Sequence, residues 1–232
     1  MDDLLGVSPL LVIFDCDGVL VDSEPLTAAV SARVLSSLGW DVSAADVLRQ
    51  FMGCTDDYWR RQVHEHTGRV VDETWDQEFG PLYEEALEAD LREVAGIRQV
   101  LERLPWRYCV ASNGSHKKIR TNLRRVGLAE LFSDAIFSAE DVRVGKPSPE
   151  LFLYAAQTMG FAPEQCIVVE DSVHGVRAAR AAGMEVLAYA VGLIDPVLLE
   201  GPRTTIFTRM DDLSQLLIRT AKTLGKPQHS ST

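Results

Sequence analysis

Asp15 and Asp17 stand two positions apart in "LVIFDCDGVLVDSE", residues 11–24, with Asp22 and Glu24 close behind. In extended backbone, residues i and i+2 project to the same side, so the pair suits joint work on one ligand. Gly18 then permits a turn that other residues resist. Carboxylates this crowded repel one another, and a metal ion would hold them together. A second acid pair, Glu170-Asp171, closes the apolar run "CIVVE" and opens a helical segment, whose N-terminus favours negative charge. Two strand ends bearing carboxylates make a hard, oxygen-only site, which favours Mg2+ over zinc or copper. An EF-hand loop is excluded by spacing, because it needs a third ligand before its glycine.

Carboxylates alone would reject a phosphate, and two further segments supply the counterweight. Ser112-Asn113-Gly114-Ser115 follows an apolar run and opens a helix, offering a hydroxyl and backbone N–H groups to an anion. Lys146, in "VGKPSPE", stands between Gly145 and Pro147, and its ammonium can neutralise phosphate charge. Taken singly, each has a plainer reading: turn and helix cap, surface lysine, N-cap, acidic loop. The set carries the weight, because the acid pair, hydroxyl, lysine and second acid pair fall in order at four strand ends.

The elements that must position these groups are short apolar runs at 11–14, 108–112, 135–138, 166–170, 185–190 and 204–207. Such runs read as buried parallel strands. Helical patterns at 97–104, 115–126, 148–159 and 172–182 separate most of them, with Ser115 and Ser148-Pro149 as start signals and Gly127, Gly160 and Gly183 as stops. The alternation predicts an α/β fold, a doubly wound parallel sheet. The interval between 14 and 108 breaks it. Leu26, Val30, Val34 and Leu38 form a helical stripe, Ser43 with Asp46 resembles a capping box, Thr55-Asp56-Asp57 can open another helix, and Gly80-Pro81 is expected to break the pattern before 82–91. Seven of the seventeen aromatic residues lie between Trp40 and Tyr83, which gives a helical insertion its own small core. The expected division is 1–20 with 92–232 as the core domain and 21–91 as an all-α cap. The insertion leaves the sheet just after the acidic cluster, where ligands of open parallel sheets bind.

Bulk properties exclude several classes. The net charge of -11 over 232 residues repels nucleic acid and anionic membranes. Cys16, Cys54, Cys109 and Cys166 are far apart with no C-x-x-C pair, which argues against zinc and redox motifs. No stretch reaches the length of a membrane span, and the acidic start "MDDLLGVSPL" does not read as a signal peptide. His64-Glu65-His66 reads as a solvated helix face, since i, i+2 residues do not face each other.

The motifs "DCDGVLVDSE", "ASNGS", "GKPSPELF" and "VVEDSVHGVRAARAAGM" together resemble those of the haloacid dehalogenase superfamily, over nearly the whole chain. The insertion resembles the helical cap of the subfamily containing beta-phosphoglucomutase and sugar-phosphate phosphatases of the 6-phosphogluconate phosphatase type. The resemblance implies that Asp15 is the nucleophile and that Asp17 protonates the leaving alkoxide and lends its carbonyl to Mg2+. Ser112, Asn113 and Gly114 would hold the phosphoryl group, the last two through the backbone. Lys146 would balance charge, and Asp171 and Glu170 would bind the metal. Burial under the cap is expected to raise the pKa of Asp17, with nearby Mg2+ opposing that rise.

Within the superfamily that the chain resembles, an acid at the position of Asp17 implies phosphomonoesters or sugar-phosphate mutases, since dehalogenases generally lack it and ion-pumping ATPases carry threonine. Thr27, where mutase-like sequences tend to have histidine, lowers the mutase alternative without excluding it. Met52-Gly53 departs from the Lys or Arg that relatives often carry before that glycine; Arg49 is the candidate to compensate, a plain surface residue being its default reading, and Gly53 belongs to the expected substrate loop. The expectation is therefore a cytoplasmic, Mg2+-dependent phosphatase of a small phosphorylated metabolite, a sugar or sugar-acid phosphate, acting as a monomer or small homo-oligomer. The rivals are a sugar-phosphate mutase and a non-catalytic phospho-ligand binder.

Overall fold

The computed structural model describes residues 10–51, 56–191 and 194–224, without the side chains of Asp56 and Asp57. Six parallel strands form one sheet in the order β3-β2-β1-β4-β5-β6. They are β1 (Leu11–Phe14), β2 (Arg107–Ser112), β3 (Ile136–Ser138), β4 (Cys166–Glu170), β5 (Glu185–Tyr189) and β6 (Thr204–Phe207). This is a doubly wound α/β sheet, and the chain reverses its winding direction between β1 and β4.

Both faces of the sheet are covered, which explains why the strands are apolar without alternation. Val12 and Phe14 join Val110, Ile167, Val169 and Leu187 on one face, while Leu11 and Ile13 join Cys109, Ala111, Val168 and Val186 on the other. The first face is covered by α5 (Ile97–Arg103), α6 (His116–Arg125), α7 (Ala129–Phe132) and α10 (Leu213–Leu224). The second is covered by α8 (Glu150–Met159) and α9 (Val173–Ala181). Ser115 and Ser172 cap α6 and α9, accepting hydrogen bonds from Lys118 N and Gly175 N. The start signal for α8 differs from expectation: Pro149 takes the cap position, without a side-chain bond, and the helix begins at Glu150.

Between β1 and β2 lie α1 (Glu24–Ser37), α2 (Ala44–Phe51), α3 (Asp56–Thr67) and α4 (Glu73–Asp90). They pack around a separate cluster that includes Val30, Val34, Leu35, Val63, Trp75 and Phe79. Ser43 and Asp46 close the expected capping box, each side chain accepting from the other's backbone N–H at 3.0–3.1 Å. His64 is exposed, and His66 stacks on Trp40 at 3.9 Å between ring centroids. One expectation fails. Gly80-Pro81 does not break the chain, and α4 runs through Pro81. Proline disfavours helical backbone at the preceding residue partly by clashing with its Cβ. Gly80 has none, and α4 is anchored by Asp72, whose side chain accepts from Thr74 N and Trp75 N. No helix among the described residues is long and apolar enough to cross a membrane.

Candidate active site

Register decides which side chains meet. Phe14 lies opposite both Val110 and Val169, so the residues just beyond β1, β2 and β4 emerge side by side. Asp15 N extends the ladder by donating to Val169 O at 2.9 Å. Past Asp15 the chain folds back tightly: Leu20 N and Val21 N both donate to Cys16 O. Gly18 makes this possible with φ +77°, a conformation that side chains resist. A Cβ there would also stand 1.9 Å from Asp171 Oδ2, so the Asp171 carboxylate rests directly on the Gly18 backbone.

Lys146 Nζ donates to Asp15 Oδ1 at 2.6 Å and to Glu170 Oε1 at 2.8 Å, and all three residues are buried. The other Glu170 oxygen accepts from Ser172 N and Ser172 Oγ at 2.7 and 2.9 Å. Lys146 is itself aligned by Asn113. Its N–H donates to Asn113 Oδ1 at 2.8 Å, and Asn113 Nδ2 donates to its carbonyl at 3.1 Å. The Asn113 side chain therefore positions the lysine, where the motif alone implied only a backbone contribution. Gly114 N donates to Ser112 Oγ at 3.2 Å, and Gly114 O accepts from Ser138 Oγ at 2.6 Å, which fixes the turn beyond β2.

Asp17 meets a partner that the motifs did not point to. Lys118 Nζ donates to Asp17 Oδ2 at 2.8 Å and Ser23 Oγ to Asp17 Oδ1 at 2.7 Å. Burial pushes the Asp17 carboxyl up, but the Lys118 charge and these hydrogen bonds outweigh it, and the net shift is downward. The expected rise is thus reversed. Lys118 lies on the first turn of α6, three residues past the capping Ser115. A lysine so placed after a strand end was a usable signal, though Lys117 beside it made the sequence ambiguous.

The other carboxylates shift the opposite way. Burial raises Asp15 to about 7, with Lys146 opposing and Glu170 adding to the rise. Burial and then the charge of Asp17 push Glu24, on the first turn of α1, up to about 8. Asp171 is raised by burial and by Glu24, and no cation is hydrogen-bonded to it among the described residues. Oxygens of Asp15, Glu170 and Asp171 lie within 4.8 Å of one another. Crowded carboxylates with too little positive charge are the donor set that a hard divalent cation fits, so these three could hold one.

These carboxylates and both lysines line one cavity of about 810 Å3, together with Thr27, Ser31, Val47, Leu48, Phe51 and Trp59 from α1–α3. Asp15, Asp17, Ser112, Asn113, Gly114, Lys146, Glu170 and Asp171 are thereby brought together. Arg49 is not: it pairs with Asp46 on the exposed side of α2. Gly53 lies outside the described residues, as do Met52, Cys54 and Thr55.

Comparison with known proteins agrees with this picture. A haloacid dehalogenase-like hydrolase family matches residues 10–183. The 6-phosphogluconate phosphatase of Escherichia coli (strain K12) is 30% identical over 210 residues, covering 88% of this chain and 93% of that one. Hexitol phosphatase B of the same organism is 31% identical over 194 residues, covering 75% and 81%. A conserved haloacid dehalogenase-like protein of unknown function from Agrobacterium tumefaciens str. C58 superposes with TM-score 0.82 at 35% identity, covering 92% of this chain and 100% of that one. Sheet order, strand-end carboxylates, buried lysine and family match converge, and the chain belongs to the haloacid dehalogenase-like hydrolases.

Proposed function

We propose that this hydrolase is a cytosolic, Mg2+-dependent phosphatase that removes the phosphoryl group from a small phosphorylated metabolite, a sugar or sugar-acid phosphate, through an aspartyl-phosphate on Asp15. Family membership and relatives named as phosphatases support phosphomonoester hydrolysis. The observation that carries the reading is the Asp15 carboxylate, held by buried Lys146 at the floor of a cavity that Ser112 and the start of α6 also line.

In this reading an oxygen of Asp15 attacks phosphorus and the bond to the leaving alkoxide breaks, with Asp17 delivering the proton the alkoxide needs. Water then attacks phosphorus and gives its proton to Asp17, the bond to Asp15 breaks, and inorganic phosphate is released. The Lys118 contact holds Asp17 ionised, the form that accepts a proton from water. Loading it with a proton for the first half requires that contact to loosen as substrate enters. Lys146 and Ser112 offset and bind the charge of the phosphoryl oxygens, the dominant requirement in phosphoryl transfer. Mg2+, held by Asp15, Asp171 and the Asp17 carbonyl with Glu170 in support, would supply the positive charge that keeps Asp15 ionised at neutral pH. Residues 21–91 act as a cap that closes over the reacting groups and excludes bulk water.

The test is phosphate release from a panel of phosphorylated metabolites, with Mg2+ and with a chelator. Turnover that requires Mg2+ and disappears in Asp15→Asn supports the proposal. Turnover unchanged in that variant contradicts it.

A further inference from the structure

The part of the cavity beyond the reacting groups has two chemically different walls. On α1, Glu24, Thr27 and Ser31 fall at i, i+3 and i+7 and line the cavity together, a stripe of one carboxyl and two hydroxyls. The Ser31 hydroxyl is oriented by Tyr83 Oη at 2.9 Å. On α2 and α3, Val47, Leu48, Phe51 and Trp59 form a largely apolar wall, with Phe51 and Trp59 locked edge to face at 4.7 Å between centroids. A hydroxyl-bearing wall and an apolar wall suit a carbon chain with hydroxyls on one side and C–H groups on the other.

Charge narrows the choice further. Among the described residues, five carboxylates line the cavity (Asp15, Asp17, Glu24, Glu170 and Asp171) against two lysines. Both lysines are committed, Lys146 to Asp15 and Glu170, Lys118 to Asp17. His174 sits on the first turn of α9, just after Asp171, at the reacting end of the cavity. No arginine lines the cavity among the described residues, and Arg49 is turned to Asp46. A second anionic group at the far end would lie among hydroxyls and apolar side chains with no cation to pair with among the described residues, and burying an unpaired charge is costly.

Resting on the phosphatase reading, we infer that the leaving group is an uncharged polyol or sugar, and that the cavity selects against a carboxylate or second phosphate at its far end. This separates the chain from what the name of its 6-phosphogluconate phosphatase relative would suggest.

The test compares kcat/KM for glucitol 6-phosphate, 6-phosphogluconate and fructose 1,6-bisphosphate, with p-nitrophenyl phosphate as a generic substrate. The first two have equal chain length and differ at one terminal carbon. The inference expects the hexitol phosphate to exceed both anionic substrates by at least about tenfold. It also expects Leu48→Arg, which places a cation on the apolar wall, to shift the acid-to-hexitol ratio toward the acid by about tenfold, with Leu48→Met leaving the ratio unchanged. Turnover of p-nitrophenyl phosphate with the sugar acid equal to or better than the hexitol overturns the inference and leaves the phosphatase reading standing. Release from none of the substrates overturns both.

Discussion

Replacing Gly175 with alanine sets helix propensity against the site. Gly175 occupies the first turn of α9, where alanine is favoured over glycine by about 1 kcal/mol. A Cβ at this position would stand 1.6 Å from Oε1 of Glu170 and 1.9 Å from its Cδ. Ordinary contact is about 3.5–4.0 Å, so the carboxylate must retreat by roughly 2 Å. It is not free to do so. Glu170 is 1% exposed and held by Lys146 Nζ at 2.8 Å and by Ser172 N and Oγ at 2.7 and 2.9 Å. A retreat of that size breaks the Lys146 contact and strands a buried charge, which costs about 3–5 kcal/mol. Against the propensity gain, the net loss is about 2–4 kcal/mol, or roughly 5–15 °C in melting temperature for a chain of this size. Urea titration and thermal unfolding in chelator read the effect, and phosphate release from p-nitrophenyl phosphate reads its consequence, expected at about 100-fold or more. A Gly175→Ala protein as stable as the parent, or more so, would refute the reasoning that Glu170 is clamped against this glycine.

Other expectations are simpler. In metal-free protein, the folded-state pKa values of Asp15 (about 7) and Glu24 (about 8) lie above their ordinary values of 3.8 and 4.5, so the native state binds protons more tightly than the unfolded chain. Their contribution to stability is complete below about pH 4 and declines as pH rises toward 8. The unfolding midpoint in chelator should fall across that window and recover on adding Mg2+, most at the alkaline end; a midpoint that rises with pH there would contradict the assignment. Lys118→Met should raise the Asp17 pKa, followed by carboxyl NMR titration, since it removes the charge that holds this acid down. No change would show that Lys118 does not set the Asp17 state. Asp17→Asn should slow alkyl phosphates far more than aryl phosphates, whose leaving groups need less protonation; equal losses would count against its acid role.

The strands were legible because parallel strands buried on both faces read as unbroken apolar runs. Those at 11–14, 166–170 and 204–207 coincide with β1, β4 and β6. The acid pairs and Ser112 were legible for a related reason: residues at or directly after a strand end inherit its position, and the register puts those ends side by side, whereas Lys146 lies eight residues past the end of β3 and reaches the site through its loop. What escaped depends on contacts between elements distant in the chain. The Asn113 clamp on Lys146 spans 33 positions and the Lys118–Asp17 pair spans 101. The reversed pKa of Asp17 follows from the second of these, because burial alone predicts the opposite sign. Pro81 misled for a local reason, since the usual rule assumes a Cβ on the residue before proline and Gly80 lacks one.

The central claim is that a phosphoryl group resides transiently on the carboxylate of Asp15. Rapid mixing of enzyme, Mg2+ and a turned-over phosphomonoester, quenched in acid within one turnover and read by peptide mass spectrometry, tests it directly. The account predicts an acid-stable, base-labile phosphate on the peptide that carries Asp15, absent from Asp15→Asn. Phosphate on any other residue, or full turnover with no covalent phosphate at any quench time, would contradict it.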